Sequence, residues 1–392
     1  MRLKFEHLLR PRRSVKLARE RLSAQLNMRR FAKVGERRFH NDARFDLSLV
    51  SDEFADRFSD ETADEALLER ICTAYAKAEE AQRRASGIFR ATDWWEQLRR
   101  SSLQPAISAL RAGDRSLLCG MYRNFFRDPC STGLIGMPYG LPKSPFQGTI
   151  SDLHRRVFLT DALYRLDYWG MQTGGRFAVR DLAGPGIGNP FGMFVGGILI
   201  ESGAEYRHYC ADRINLLLGP GRKVMTEVGG GFGGMAYYLL RDRKDVTWVD
   251  FDVPESIALA SWYLMKAFPD LRFLLYGEED LTQDAIARAD VVLMPVSEME
   301  TMPSKCADLC FSSHAISDVS ADVLETYLEE IRRTTRDSFL FVGNSRAGES
   351  ICDLVSRGGR SLTLAGKGAS AWNSHKVPGV LESECLFHVN QA

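Results

Sequence analysis

The sequence predicts an α/β protein: a Rossmann-like sheet, mostly parallel with an antiparallel last strand, preceded by a largely helical N-terminal region. Three observations carry that expectation. An apolar run ending at 228 passes through Glu227 into five glycines, Gly229, Gly230, Gly231, Gly233 and Gly234, and then into a helical pattern, which is how a buried parallel strand turns into a helix. A second run, 245–252, reads as the next strand and ends in Asp252, nineteen residues after Gly233. Residues 60–127, by contrast, keep a helical period throughout, with one apolar stripe through Leu67, Leu68, Ile71, Cys72, Tyr75, Ala78 and Ala81.

The glycine turn comes first because it organises the rest. Glycine is needed where a side chain would collide with a ligand lying on the backbone, and where φ is positive. The acid precedes the glycines and the glycines alternate, as Glu227-x-Gly229-x-Gly231-x-Gly233. This departs from the G-x-G-x-x-G fingerprint of dinucleotide sites and favours S-adenosylmethionine over NAD. In that reading the methionine part of the ligand lies over the glycines near the helix N-terminus, and Glu227 reaches its ammonium. Asp250 or Asp252 accepts from the ribose hydroxyls, and Asp252 is preferred because it stands at the strand end, directly before Pro254 opens the next helix. The expected cofactor-binding set is Glu227, Gly229, Gly230, Gly231, Phe232, Gly233, Asp252, Pro295 and Ser312.

The remaining elements follow in order. Residues 1–44 carry fourteen Lys or Arg against four acids, and 46–80 carry eleven acids against three bases. The two segments are expected to neutralise one another, within a protomer or across a homodimer formed through the N-terminal region. Trp94 and Trp95 read as core. Residues 129–145 are dense in Gly and Pro and read as a loop. Helix resumes at 151–153 with Ser151 or Asp152 as cap. The second glycine cluster, 182–203, is too irregular for a regular element and suits a loop or lid over a cleft. The helix from 205 to 218 begins with Tyr206, Arg207 and His208, which are the expected substrate contacts. Two runs, 271–276 and 290–295, compete for the third strand. Residues 307–318 form the fourth strand and the loop at its carboxyl end, where ligands of open α/β sheets lie. Runs at 338–344, 361–364 and 384–389 supply the remaining strands.

Composition sets limits. The 392 residues, 45% hydrophobic and 26% charged, balance 51 basic against 51 acidic groups. Nucleic acid is therefore not expected as the main partner, because no basic excess exists to neutralise phosphates. No apolar run approaches the ~20 residues of a membrane span, and no signal peptide is recognised. The eight cysteines include no C-x-x-C pair, so a reduced, cytoplasmic setting is expected and no metal ligand set is assigned. Two to three units are expected: a helical region over 1–150, a connecting helix and lid over 151–204, and the Rossmann-like domain over 205–392.

A sulfonium donor implies in-line methyl transfer, which needs a held acceptor and a base. His314 and Asp318, four apart on the fourth-strand loop, are the expected catalytic pair. Three blocks, 227–234, 252–256 and 312–319, together with 188–192 and Tyr206 to Tyr209, resemble the sugar O-methyltransferases, a branch of the class I S-adenosylmethionine-dependent enzymes. The resemblance spans roughly 180–345. It implies methyl transfer to a hydroxyl of a sugar or sugar-bearing small molecule. The fourth-strand block of that family tends to read Asn-Thr-x-Ser-x-x-Glu-Met, where this chain has Ser312, Ser313, Ala315, Asp318 and Val319; Asp318 keeps the carboxylate, while the acceptor stays open. The rival expectations are N- or C-methyl transfer, an NAD-linked oxidoreductase and a catalytically silent partner subunit.

Overall fold

The computed structural model describes residues 11–58, 64–135, 150–317, 319–357, 362–373 and 382–390. The helical part comes first: α1 (Pro11–Arg38), α2 (Val50–Glu53), α3 (Glu65–Arg84), α4 (Asp93–Arg99), α5 (Gln104–Ala112), α6 (Arg115–Tyr122) and α7 (Asp152–Gln172). Local chemistry sets their ends. Asp64 accepts from the Leu67 N–H at 3.0 Å and Ser151 from that of His154 at 3.4 Å, so each cap satisfies a donor the helix leaves open. Gly113, at φ +63°, ends α5 in the left-handed conformation.

A hairpin follows where the sequence leads one to expect an irregular loop or lid. Its strands are β1 (Gly192–Val195) and β2 (Ile198–Glu201). The glycine density that reads as irregularity is what builds it: Gly196 and Gly197 have φ +59° and +81°, the two positive values a tight hairpin turn requires.

The main sheet is assembled from β3 (Lys223–Val228), β4 (Val246–Asp252), β5 (Phe273–Leu275), β6 (Val291–Pro295), β7 (Ala307–Ser313), β8 (Thr335–Asn344), β9 (Leu362–Ser370) and β10 (Glu382–Val389). The order is β5-β6-β4-β3-β7-β8-β10-β9. All pairs from β5 to β8 are parallel, and β10 runs antiparallel to both of its neighbours. This is a Rossmann-like arrangement with the last strand reversed. Of the two competing runs, 290–295 supplies β6 beside β4, and 271–276 supplies only the short edge strand β5.

Helices α8 (Ala204–Leu218), α9 (Gly234–Asp242), α10 (Pro254–Ala267), α11 (Gln283–Arg288), α12 (Ala321–Thr334) and α13 (Ser345–Arg357) complete the described elements. The sheet is covered on both faces. Successive β4 residues point to opposite sides, so Trp248 joins a cluster shared with the N-terminal helices through Ile71 and Leu163, while Val249 and Phe251 join a second cluster with Phe89 and Tyr327. Each such large side chain contributes about 1.5–3 kcal/mol by leaving water. The helical region therefore shares a core with the sheet.

Part of the charge pattern is visible in the described ion pairs. Glu65 and Glu69 pair with Arg115, and Glu79 with Arg111, whereas Arg38 and Arg44 reach Asp167 on α7. In the described ion pairs Glu79 also pairs with Arg99 on α4, and Glu80 with Arg83 and Arg84 on α3 itself. Among the described residues, no helix is long and apolar enough to cross a membrane.

Candidate active site

Strand β3 stops at Val228, and the glycine turn begins. Gly229, Gly231 and Gly233 have φ +83°, +63° and +81°, values at which a side chain costs about 1–2 kcal/mol. Space is as restrictive as conformation: a Cβ at Gly229 would lie 2.1 Å from the Cβ of Ala315, and one at Gly230 would lie 2.7 Å from the Asp250 carboxylate.

Acids hold this turn from beneath. Asp250 accepts the Gly230 N–H at 2.9 Å, and Asp252 accepts those of Gly231 at 2.8 Å and Val253 at 2.6 Å. Glu227 accepts from the Trp248 indole N–H at 2.9 Å. The parallel register sets Glu227 beside Asp250, and Asp252 beside Pro295, so the carboxylates cluster at one end of the sheet. Burial, reinforced by the Asp252 charge, pushes Glu227 up to about 8, and burial, reinforced by the Glu255 charge, pushes Asp252 up to about 7. Asp250 is raised well above the ordinary range by burial and then by its two acidic neighbours. A buried trio of carboxyls is costly when ionised, and a cationic ligand relieves that cost.

A cavity of about 1040 Å³ opens above these groups. Its near end is the glycine turn with Glu227, Asp252 and Val253, and Trp94, Trp95 and Leu134 also line it. Its far end is polar: Asp161 and Arg165 from α7, Tyr206 from α8, His314 after β7, and Asn373 after β9. The Tyr206 hydroxyl and Ser313 Oγ lie 2.5 Å apart. His314 has φ +62°, an uncommon conformation for a residue with a side chain and one associated with functional positions. Its N–H is donated to the Val342 carbonyl at 3.0 Å.

Glu227, Gly229, Gly230, Gly231, Phe232, Asp252, Tyr206, Arg207 and His314 all line the cavity. Of the two candidate ribose acids, Asp252 is on the wall and Asp250 lies under the turn. Four expected residues sit elsewhere. Gly233 caps α9 with Leu264 behind it. Pro295 ends β6, and the next residue, Val296, meets the cavity instead. Ser312 donates to the Val228 carbonyl at 2.9 Å and ties β7 to β3. His208 is 2% exposed; it faces Trp169, Phe177 and Tyr238, with the Trp169 N–H 3.2 Å from Nδ1. Asp318 lies outside the described residues.

Arg207 is enclosed beside the turn, its guanidinium 5.3 Å from the Phe232 ring centre and 3.5 Å from Glu201. The tryptophan pair corrects the reading of it as core. Trp94 is 56% exposed and lines the cavity, and Trp95 donates its indole N–H to Glu255 at 2.5 Å. Sequence reasoning also passed over Asp161, Arg165 and Asn373. A signal existed for the first two: an acid and a base four apart on α7, amid the buried Phe158, Leu159, Leu163 and Leu166, share one helix face and enter a core only when that face meets a polar space.

Comparison with known proteins adds little beyond fold. No family profile matches the chain, and no curated protein matches it. Among solved structures, the mitomycin 7-O-methyltransferase is 12% identical, with a TM-score of 0.34, over 48% of this chain and 56% of that one. The geranyl diphosphate C-methyltransferase of Streptomyces coelicolor is 8% identical, TM-score 0.31, over 46% of this chain and 75% of that one. The N-methyltransferase NodS of Bradyrhizobium japonicum is 12% identical, TM-score 0.33, over 48% and 88%. The chain thus spans little more than half of the mitomycin enzyme. At these identities and TM-scores no activity or substrate follows from the likeness.

Proposed function

We propose that the chain is an S-adenosylmethionine-dependent methyltransferase acting on a hydroxyl of a sugar or sugar-bearing small molecule. The observation that carries this reading is the acid-first glycine turn lying under a large cavity, with Glu227 and Asp252 on its wall. The residues fit such a donor. The bare turn leaves room for an amino-acid tail against the backbone. Glu227 would hold its ammonium, Asp252 its ribose hydroxyls, and Arg207, beside Gly234, its carboxylate. When bound, the sulfonium supplies the methyl group: the C–S bond breaks, sulfur keeps the electron pair, and a C–O bond forms to the acceptor.

The chain's own part is to hold the acceptor and take its proton. A hydroxyl has a pKa far above neutrality, so a positioned base contributes about 10²–10⁴-fold. His314 is that base, exposed to the cavity at the end of β7. The polar far end supports a polyhydroxyl acceptor, since Asp161, Arg165, Tyr206 and Asn373 offer both donors and acceptors there.

Titration calorimetry with S-adenosylhomocysteine and with NAD tests the donor. Binding of the first at micromolar strength without the second is expected, and NAD binding would overturn the reading. Incubation with labelled S-adenosylmethionine and a panel of glycosides, amines and carbon acids tests the acceptor. Label on a glycoside oxygen is expected, and label on nitrogen or carbon would move the acceptor class.

A further inference from the structure

We propose that Glu382 orients His314, so that β10 completes the proton-accepting group. The inference rests on the reading of His314 as base and gives it a carboxylate neighbour on β10. Glu382 is the first residue of β10 and is 6% exposed. Its Oε1 lies 3.7 Å from His314 Nε2 and accepts the Asn373 side-chain N–H at 2.6 Å. Asn373 in turn accepts from Arg165 Nη2 at 2.7 Å, and Arg165 Nε is 3.5 Å from Asp161. A chain of contacts therefore runs from α7 through Asn373 and Glu382 to the imidazole.

The chemistry follows from the placing of the two ring nitrogens. A carboxylate beside Nε2 favours the tautomer with its proton there and leaves the lone pair on Nδ1. Nδ1 then receives the acceptor hydroxyl proton as the oxygen bonds to the methyl carbon and the C–S bond breaks. The resulting imidazolium is balanced by the Glu382 charge. Among the described residues Glu382 Oε2 is buried with no hydrogen-bond partner, so the carboxylate has acceptor capacity to spare as the imidazole gains charge. The left-handed backbone at His314 fits this picture, because strain of that kind persists only where the surroundings hold it. Among the described residues the Tyr206 ring also faces the imidazole, 6.1 Å away between centres. Glu382 is thus a positioning residue, and Asn373 is the clamp that sets it.

Nitrogen-15 NMR of the His314 imidazole in the full chain, titrated with pH and assigned by its loss in His314→Ala, tests this without any acceptor. The free protein is expected to show the Nε2–H tautomer. Glu382→Gln is expected to mix the tautomers and lower the His314 pKa, with Glu382→Asp restoring part of both. S-adenosylhomocysteine affinity within twofold of the unaltered chain reports that the fold is kept. If Glu382→Gln loses that affinity, Asn373→Ala becomes the deciding variant and is expected to shift the tautomer ratio in the same direction. A folded Glu382→Gln, or in its place a folded Asn373→Ala, with the His314 spectrum unchanged overturns the proposal. So does a spectrum that responds to Asp318→Asn instead. Full turnover in His314→Ala would instead sink the base assignment, a result the spectra do not depend on.

Discussion

The two ends of the cavity are built by different means. The glycine end comes from one short stretch: Val228 to Gly234 bends, and Asp250 and Asp252 on the adjacent strand hold the bend by its N–H groups. Its specificity lies in the backbone and in what a side chain would obstruct. The polar end takes Asp161 and Arg165 from α7, Tyr206 from α8, His314 from the β7 loop and Asn373 from beyond β9, so its specificity lies in a side-chain network. A backbone cradle is local and written in glycines, whereas a network requires the whole fold to meet.

Breaking one end while sparing the other tests that division. The largest effect is expected at the polar end: His314→Ala should cut turnover by about 10²–10⁴-fold, the usual contribution of a base, with S-adenosylhomocysteine affinity unchanged by calorimetry. At the glycine end, Gly229→Ala adds a Cβ 2.1 Å from that of Ala315 at φ +83°, and weakens donor affinity by about a hundredfold. Asp252→Ala removes a charged acceptor, so donor affinity should fall about tenfold or more while circular dichroism keeps its shape. Unchanged affinity would move the ribose role to Asp250. Arg165→Gln should raise the acceptor KM about tenfold and leave the donor Kd alone; a matching change in both constants would erase the distinction between the ends.

The smallest effect is one of pH. Burial raises Glu227 to about 8 and Asp252 to about 7, both above the value of about 4 in an unfolded chain. Their contribution to stability is present below pH 4 and is lost as pH rises through 7 and 8, because the unfolded chain releases these protons more readily. The melting temperature of the free protein should drop by about 2–4 °C between pH 6 and 9, and Glu227→Gln should flatten that slope. A melting curve that rises over this range would contradict the buried-acid account.

The glycine end was legible in the sequence because its determinants are contiguous. The spacing of Glu227, the glycines and Asp252 survives in one dimension, and the reversed last strand follows from the same fold. The polar end was legible only in part. Tyr206 and His314 stood near recognisable elements, but Asn373 and Glu382 enter through the antiparallel register of β10, which pairs Glu382 with Asn344, and no local pattern announces such a meeting. Trp94 and Trp95 were misread because an aromatic pair on a short helix has the same spacing whether it faces a core or an opening. The hairpin at 192–201 was missed because its glycines make a turn and were read as disorder of pattern. The choice between 271–276 and 290–295 turned on sheet order, which two equally apolar runs do not encode.

Strand β10 slots between β8 and β9, both of which precede it in the chain. A ribosome therefore delivers the donor cradle and the neighbouring helices long before the strand that seats Glu382. A nascent chain halted in that interval would have β8 bare along one side, ready to pair with a stranger, and its histidine would lack its carboxylate neighbour. On the proposed reading, catalytic competence would arrive only with β10, so a translation product ended before it would keep the donor's resting place without the means to use it.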